Sequence, residues 1–327
     1  MKSKSKQNSN IISDTLNQCV IGQIQSYKSL YIAAVINNKS IISEYITLKE
    51  ASKEKLVQFS ETSNVSSASV TNLSTKPLFL MNGEILEGAK QNRVINDSII
   101  IPQQSTKTVD VSCVEEGRWS EQYKGFKPSD ELFNMRSRWE KSKSVFDTKL
   151  RTGSRKSDQS RVWDEIREKQ SNMGVHSYTH SAKDTYMHYE DRLREYENRM
   201  IILPNQVGLI FYLNNNCVGI DLFDSPATFL EFSKKIIRSI AIDAIEIDSE
   251  QRLPNHRRIA SRLLKQFVDL MSNLKEEAIP APYLGQEVVM NYPALNIYAS
   301  ATSNNGQIIH LNGYHQIEFA VSRQSIH

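Results

Sequence analysis

Short apolar runs broken by turn residues dominate the first third of the chain. Leu30 to Ile36 and Ile41 to Leu48 read as short strands, and Val65 to Leu73 alternates between apolar and small polar positions. Pro77 to Met81 is an apolar strand ended by the turn pair Asn82-Gly83, and Val94 to Ile101 and Thr106 to Cys113 supply more strands around Pro102-Gln-Gln-Ser. Between them Thr47 begins TLKEASKEKLV, where Thr47 as N-cap and Glu50 as its reciprocal partner predict a short helix. Strands this short and close, joined by tight turns, pair antiparallel, because a parallel pair needs a long crossover.

After Trp119 the pattern changes. Residues 120 to 160 are polar and Ser-rich, with Phe133, Met135, Trp139, Val145 and Phe146 spaced as the contacts of a helix lying on a sheet. Val162, Trp163 and Ile166 fall at helical spacing in SRVWDEIREK. Tyr186, Tyr189, Leu193 and Tyr196 form a stripe along about Ala182 to Met200, read as core contact. Pro204 resets the chain. Val207 to Leu213 and Cys217 to Leu222 then predict a hairpin across Asn214 to Asn216. Ser225 as N-cap and Pro226 at the first position open a helix whose apolar face is Phe229, Leu230, Phe232, Ile236, Ile237 and Ile240. A further helix covers about Asn255 to Asn273. Leu295 to Ala299 and Gln307 to Leu311 return to strand across the turn Asn304 to Gly306.

The resulting expectation is an α+β fold: antiparallel sheets, sandwich-like or partly closed into a barrel, with packed helices in a single interleaved domain. Residues 1–18 read as a mobile polar N-terminus, 19–319 as the domain with a helical, basic segment at about 120–200, and 320–327 as a tail. A chain of 327 residues is long enough for a large core. Its 40 Lys/Arg against 37 Asp/Glu give no global field that would imply nucleic acid. Locally, Arg118 to Arg161 holds twelve Lys/Arg and six Asp/Glu, which reads as a solvated surface or as a surface for an anion or a protein partner.

Cys19, Cys113 and Cys217 are three in number and far apart, which suits a reducing, cytoplasmic setting. MKSKSKQNSNII lacks an uninterrupted apolar h-region, and no apolar stretch reaches membrane-spanning length. The sequence leaves any cofactor undetermined. Phosphate-loop signatures are absent, and His176 and His180, four apart, lack the companions of a zinc set, so no metal is predicted.

The chemistry concentrates in GEILEGAKQNRVIN, residues 83–96, read as a loop after the Asn82-Gly83 turn. Three readings compete. Glu84 and Glu87 pair with Arg93, Lys90 or Arg118 and fasten the loop; or the loop is a ligand clamp, with Lys90 and Arg93 holding an anionic group and Gln91 and Asn92 orienting a polar one; or Glu84 or Glu87 is a general acid or base. The last requires burial or a like-charge neighbour, and a mechanism that pairs the two carboxylates further needs a helical stretch, because in a strand they point oppositely. The next polar cluster, VSCVEEGRW, adds Glu115 as a further acid, Arg118 as a second anion ligand and Trp119 as a wall or sheet cover. Cys113 has Arg118 close in sequence but no nearby His, so an inert thiol is the favoured reading over a nucleophile.

The same residues resemble the ARG and rhodanese-phosphatase-superfamily-associated protein domain family, which is largely uncharacterised. The likeness lies in GEILEGAKQNRVIN, IIIP (99–102) and VSCVEEGRW (111–119). It continues through GSRKSDQSRVW (153–163), SYT (177–179), VGIDLFDSP (218–226) and RSIAIDAI (238–245), so that it spans about residues 25–316. It covers Gly83, Glu84, Gly88, Lys90, Gln91, Asn92, Arg93, Asn96, Ser112, Cys113, Glu115, Gly117, Arg118, Trp119, Asp158, Gln159 and Trp163; Glu116 stands where the pattern often has Gln. The resemblance implies a single family domain and, through the neighbours in the family's name, a small polar ligand related to nucleotides or ADP-ribose. Binding or regulation is the leading expectation, with a hydrolase of ADP-ribose-like or phosphorylated compounds and a protein-interaction scaffold as alternatives.

Overall fold

A computed structural model describes residues 10–38, 43–121, 125–213, 217–247 and 256–316. Its centre is an eight-stranded sheet ordered β1 (Val20–Tyr27), β2 (Leu30–Ile36), β12 (Gln206–Leu213), β13 (Cys217–Phe223), β17 (Gln307–Gln316), β16 (Ile297–Asn304), β15 (Gln286–Tyr292) and β14 (Glu277–Pro280). Every neighbouring pair in it is antiparallel. All residues of β12 and β13 are buried, which explains their near-continuous apolar sequences: both faces of the sheet are covered. Phe211 pairs with Gly219, and a Cβ at 219 would collide with the Phe211 ring, so the missing side chain makes room for the large one. The Asn214 to Asn216 turn lies outside the described residues.

One face of this sheet carries α7 (Pro226–Ile247), with α3 (Met135–Thr152) and α6 (Glu190–Arg199) around it, and buries Phe211, Phe223, Phe232, Ile236 and Tyr196. The other carries α8 (His256–Asn273) and α1 (Ile11–Asn17), enclosing Ile12, Leu16, Leu263, Leu264 and Phe267. Order therefore begins before Cys19, because two apolar residues of the polar start, Ile12 and Leu16, dock on α8; Glu276 accepts hydrogen bonds from the N–H groups of Ile12 and Ser13.

The chain between β2 and β12 builds the second β layer. A six-stranded antiparallel sheet runs β11 (Phe126–Leu132), β7 (Glu84–Gly88), β8 (Arg93–Ile95), β10 (Ser105–Cys113), β5 (Ser67–Asn72) and β4 (Val57–Glu61). Beside it lie β3 (Ile46–Thr47), β6 (Leu78–Leu80) and β9 (Ile99–Ile101), with β3 parallel to β6. The two enclose a third apolar core of Leu78, Leu80, Leu86, Ile95, Val109 and Val111. The α+β class and the antiparallel sheets are as the pattern predicts, with one sheet curled like a half-barrel.

Local signals hold where caps are local. Thr47 accepts from the Glu50 N–H while the Glu50 carboxylate accepts from the Thr47 N–H, so the capping box starts α2 (Leu48–Lys53). Ser225 caps α7 through the Thr228 N–H. Other expectations fail. Val94 to Ile101 is not one strand: Asn96, Asp97 and Ser98 break it, sending β8 and β9 to different sheets. Residues 126–132 form β11, hydrogen-bonded to β7, before the helix of the basic segment begins. The tyrosine stripe spans two helices, α5 (Ala182–His188) and α6, broken at Tyr189, with Tyr186, Leu193 and Tyr196 buried as expected.

Candidate functional site

The motif 83–96 is a β-hairpin, not a loop: β7 pairs with β8 through Ile85↔Val94 and Leu86↔Arg93. Extended backbone puts Glu84 and Glu87 on opposite faces of the strand, so they form no carboxylate pair. Their surroundings differ accordingly. Glu84 is fully buried; one oxygen accepts from the Met81 N–H and the other finds no donor among the described residues. Burial pushes its carboxyl up to about 7, against the pull of nearby Lys235. Glu87 accepts from Ser129 Oγ and from Lys183 Nζ at 2.6 Å.

The turn of the hairpin is fastened by Glu115 and Arg118. Arg118 donates to the carbonyls of Ala89 (2.7 Å), Gly88 (3.2 Å) and Ser120 (3.1 Å), to Asn92 Oδ1 (3.1 Å) and to Glu115 Oε2 (2.7 Å). Glu115 also accepts from the Asn92 N–H and from Thr179 Oγ1. Asn92 is turned inward, accepting from the Gly88 N–H and donating to Ser181. Gln91 donates to the Glu116 carbonyl and accepts from Arg93. Arg93 is buried, with Gln91, the Asn92 carbonyl and Glu61 as partners, and lines none of the larger cavities described below. Of the predicted clamp, Lys90 alone has an exposed side chain.

The structure thus brings Gln91, Asn92, Arg93, Glu115 and Arg118 together in one internally satisfied knot. Glu84, Glu87 and Lys90 stand apart from it. Trp119 is 61 % exposed. The Cys113 thiol is buried and donates to the Glu115 carbonyl; burial raises its pKa although Arg93 opposes the shift, which leaves it a poor nucleophile.

Beneath the hairpin lies a buried polar chain. Arg138 is fully buried and forms a bidentate pair with Asp221, at 3.3 and 2.9 Å. His310 bridges Asp221 (3.3 Å) and Ser98 Oγ (2.8 Å). Burial alone would raise the Asp221 carboxyl, but Arg138 and His310 outweigh it and hold the group below its usual range. Lys141 clasps Asn82 Oδ1 and the carbonyls of Ile95 and Asn96 at 2.8, 3.1 and 2.7 Å. Lys149 and Arg155 both bridge Asp97 and Glu287. Within the basic run 118–161, Arg118, Arg138, Lys141, Lys149 and Arg155 therefore serve internal partners.

The largest opening among the cavities described here lies on the far side of β7. It is a cleft of about 850 Å³ between β11, the α5–α6 pair and α7. Of the predicted acids, only Glu87 lines it. At the α6 end, Arg238 is held by Glu131 (2.5 Å), Glu190 (2.6 Å) and Glu197 (2.6 Å). Lys49, Lys127, Lys183 and Lys235 also line the cleft, together with Glu87, Asp130 and Glu231. Lys235 is buried and its ammonium donates to the Ser129 carbonyl at 2.6 Å; that is one of three donors. Leu230, expected on the apolar face of α7, is instead exposed along this cleft.

None of these lysines was evident as a site residue in the sequence. One signal was available: Thr228, Glu231, Lys235 and Arg238, at spacings of three, four and three, make a polar stripe on an otherwise apolar helix. His176 and His180 lie in the turn region before α5 and share no helix face. Among the described residues no group of three or more His, Cys, Asp or Glu is placed to hold a metal, and no helix is long and apolar enough to cross a membrane.

The sequence profile of the ARG and Rhodanese-Phosphatase-superfamily-associated Protein domain matches residues 18–314. No curated protein and no solved structure matches the chain.

Proposed function

The chain belongs to the ARG and rhodanese-phosphatase-superfamily-associated protein domain family, and from that premise we propose that it is a binding domain for a small, polar, anionic molecule held in the cleft beside Lys235. The observation that carries this reading is the Lys235 ammonium. It is buried on the cleft wall with one of its three donors spent on a partner among the described residues, in a cleft that Lys49, Lys127 and the Glu87-paired Lys183 also line. A buried ammonium gains most from an acceptor that brings negative charge, and a phosphate offers both. The cleft also has the size of an ordinary small-molecule site. Nucleotide-like and ADP-ribose-like compounds meet these requirements.

Arg93 and Arg118 are not the anion ligands in this reading, since their donors serve the hairpin. Titration calorimetry with inorganic phosphate, ADP-ribose and NAD tests it on the full chain. Binding in the wild type that falls at least tenfold in Lys235→Met and in the more exposed Lys183→Met supports the assignment. Absence of binding by every anion at millimolar concentration overturns it.

A hydrolytic reading draws on Glu87, which faces the same cleft with Ser129 and Lys183 on its two oxygens. There Glu87 takes a proton from water and the lysines receive the charge developing on a phosphoryl oxygen. Turnover of a bound phosphate compound, lost in Glu87→Gln with binding retained, separates catalysis from binding alone.

A further inference from the structure

Next to the lysine cleft is a second cavity of about 560 Å³, and the two meet at Glu231, which lines both. Its charge balance differs from the cleft's, where seven Lys or Arg stand against six Asp or Glu. Seven of its fifteen lining residues carry hydroxyls, and its charged residues are Glu50, Glu54 and Glu231 against Lys76 alone. A site with that surplus of carboxylates disfavours an anion and suits neutral hydroxyl donors.

The hydroxyls are ordered by Asp224. Its two oxygens accept from Tyr45 (2.7 Å) and Ser43 (3.1 Å). With those protons committed, Tyr45 and Ser43 meet anything else as acceptors. Thr228 is 2.9 Å from the Tyr45 oxygen and 2.9 Å from Ser225, so four hydroxyls from two segments form one connected array at the cavity wall. At the junction one oxygen of Glu231 is shielded from solvent, and Thr47 lies within hydrogen-bonding reach of the carboxylate.

Helix geometry joins the two cavities. Thr228, Glu231 and Lys235 follow one another along one face of α7, and seven residues of helix rise about 10 Å. Passing along this face, a ligand meets hydroxyls, then a carboxylate, then an ammonium. Building on the reading of the cleft as an anion site, we propose that the ligand is a phosphorylated polyol of the sugar phosphate class. Its phosphate lies at Lys235 and Lys49, and its hydroxyls enter the cavity of Tyr45, Ser43 and Thr228. The same division of labour accommodates the ribose and phosphate portion of a nucleotide.

Calorimetry with inorganic phosphate, ribose and ribose 5-phosphate tests this. Ribose 5-phosphate is expected to bind at least tenfold more tightly than inorganic phosphate. That ratio is expected to collapse in Tyr45→Phe, and in Ser43→Ala should loss of the Tyr45 hydroxyl impair folding, while phosphate affinity stays as in the wild type. Equal affinities for ribose 5-phosphate and phosphate, or a ratio indifferent to both substitutions, overturn the polyol assignment and leave the anion cleft standing. Failure of phosphate and ribose 5-phosphate alike to bind overturns both.

Discussion

The side chain of Arg138 passes over the bare Cα of Gly83 on its way to Asp221. A Cβ at residue 83 would fall inside the contact distance of Arg138 Cδ, and the Gly83 backbone also sits at φ +94°. The first glycine of the family motif is thus explained by a close approach and by a conformation that other residues adopt at a cost. Gly83→Ala is expected to lose about 3 kcal/mol, combining backbone strain with overpacking. Urea unfolding measures it, and a loss below about 0.5 kcal/mol, the scale of a neutral surface change, would show that the arginine has another path.

Removing Arg138 itself leaves Asp221 charged in the core. Arg138→Met is expected to cost about 3–5 kcal/mol, the range for a buried pair broken on one side. Adding Asp221→Asn is expected to recover part of that loss, because the stranded charge disappears. A double mutant as unstable as the sum of the single ones would show that the pair is not coupled.

Glu84 makes stability depend on pH. Burial raises its carboxyl from 4.5 to about 7 in the folded chain, with Lys235 opposing. Between those values the folded protein keeps a proton that the unfolded chain has released, so stability falls as pH rises through the window and levels off above about 7. The contribution is about 3 kcal/mol. Unfolding titrations from pH 4.5 to 8 check this: Glu84→Gln is expected to remove this part of the slope, and Lys235→Met to extend the fall to higher pH.

Arg118 distinguishes a structural knot from a ligand clamp. Five acceptors surround its guanidinium, three of them hairpin carbonyls or side chains that lose a charge-assisted bond when it goes. Arg118→Met is expected to lower stability by about 2 kcal/mol or more. Phosphate affinity is expected to stay within twofold of the wild type. A large loss of affinity with unchanged unfolding would return Arg118 to the binding site.

Sequence pattern alone determined what depends on near neighbours. Alternation and turn pairs marked most strands, Thr47 with Glu50 and Ser225 with Pro226 marked two helix starts, and the length of GEILEGAKQNRVIN marked the family. These are interactions within a few residues, so composition and spacing carry them. Only the tertiary structure decided that Glu84 and Glu87 part company, that Asp221 lies 83 positions from its partner Arg138, and that Lys235, Glu87 and Lys183 border one cleft. Charge is the reason: a polar side chain in a sequence looks the same whether it will meet solvent, a ligand or an opposite charge buried far along the chain. The densest polar motif turned out to bind mainly itself, while Lys235 was embedded in an apolar helix whose period drew attention to its core face.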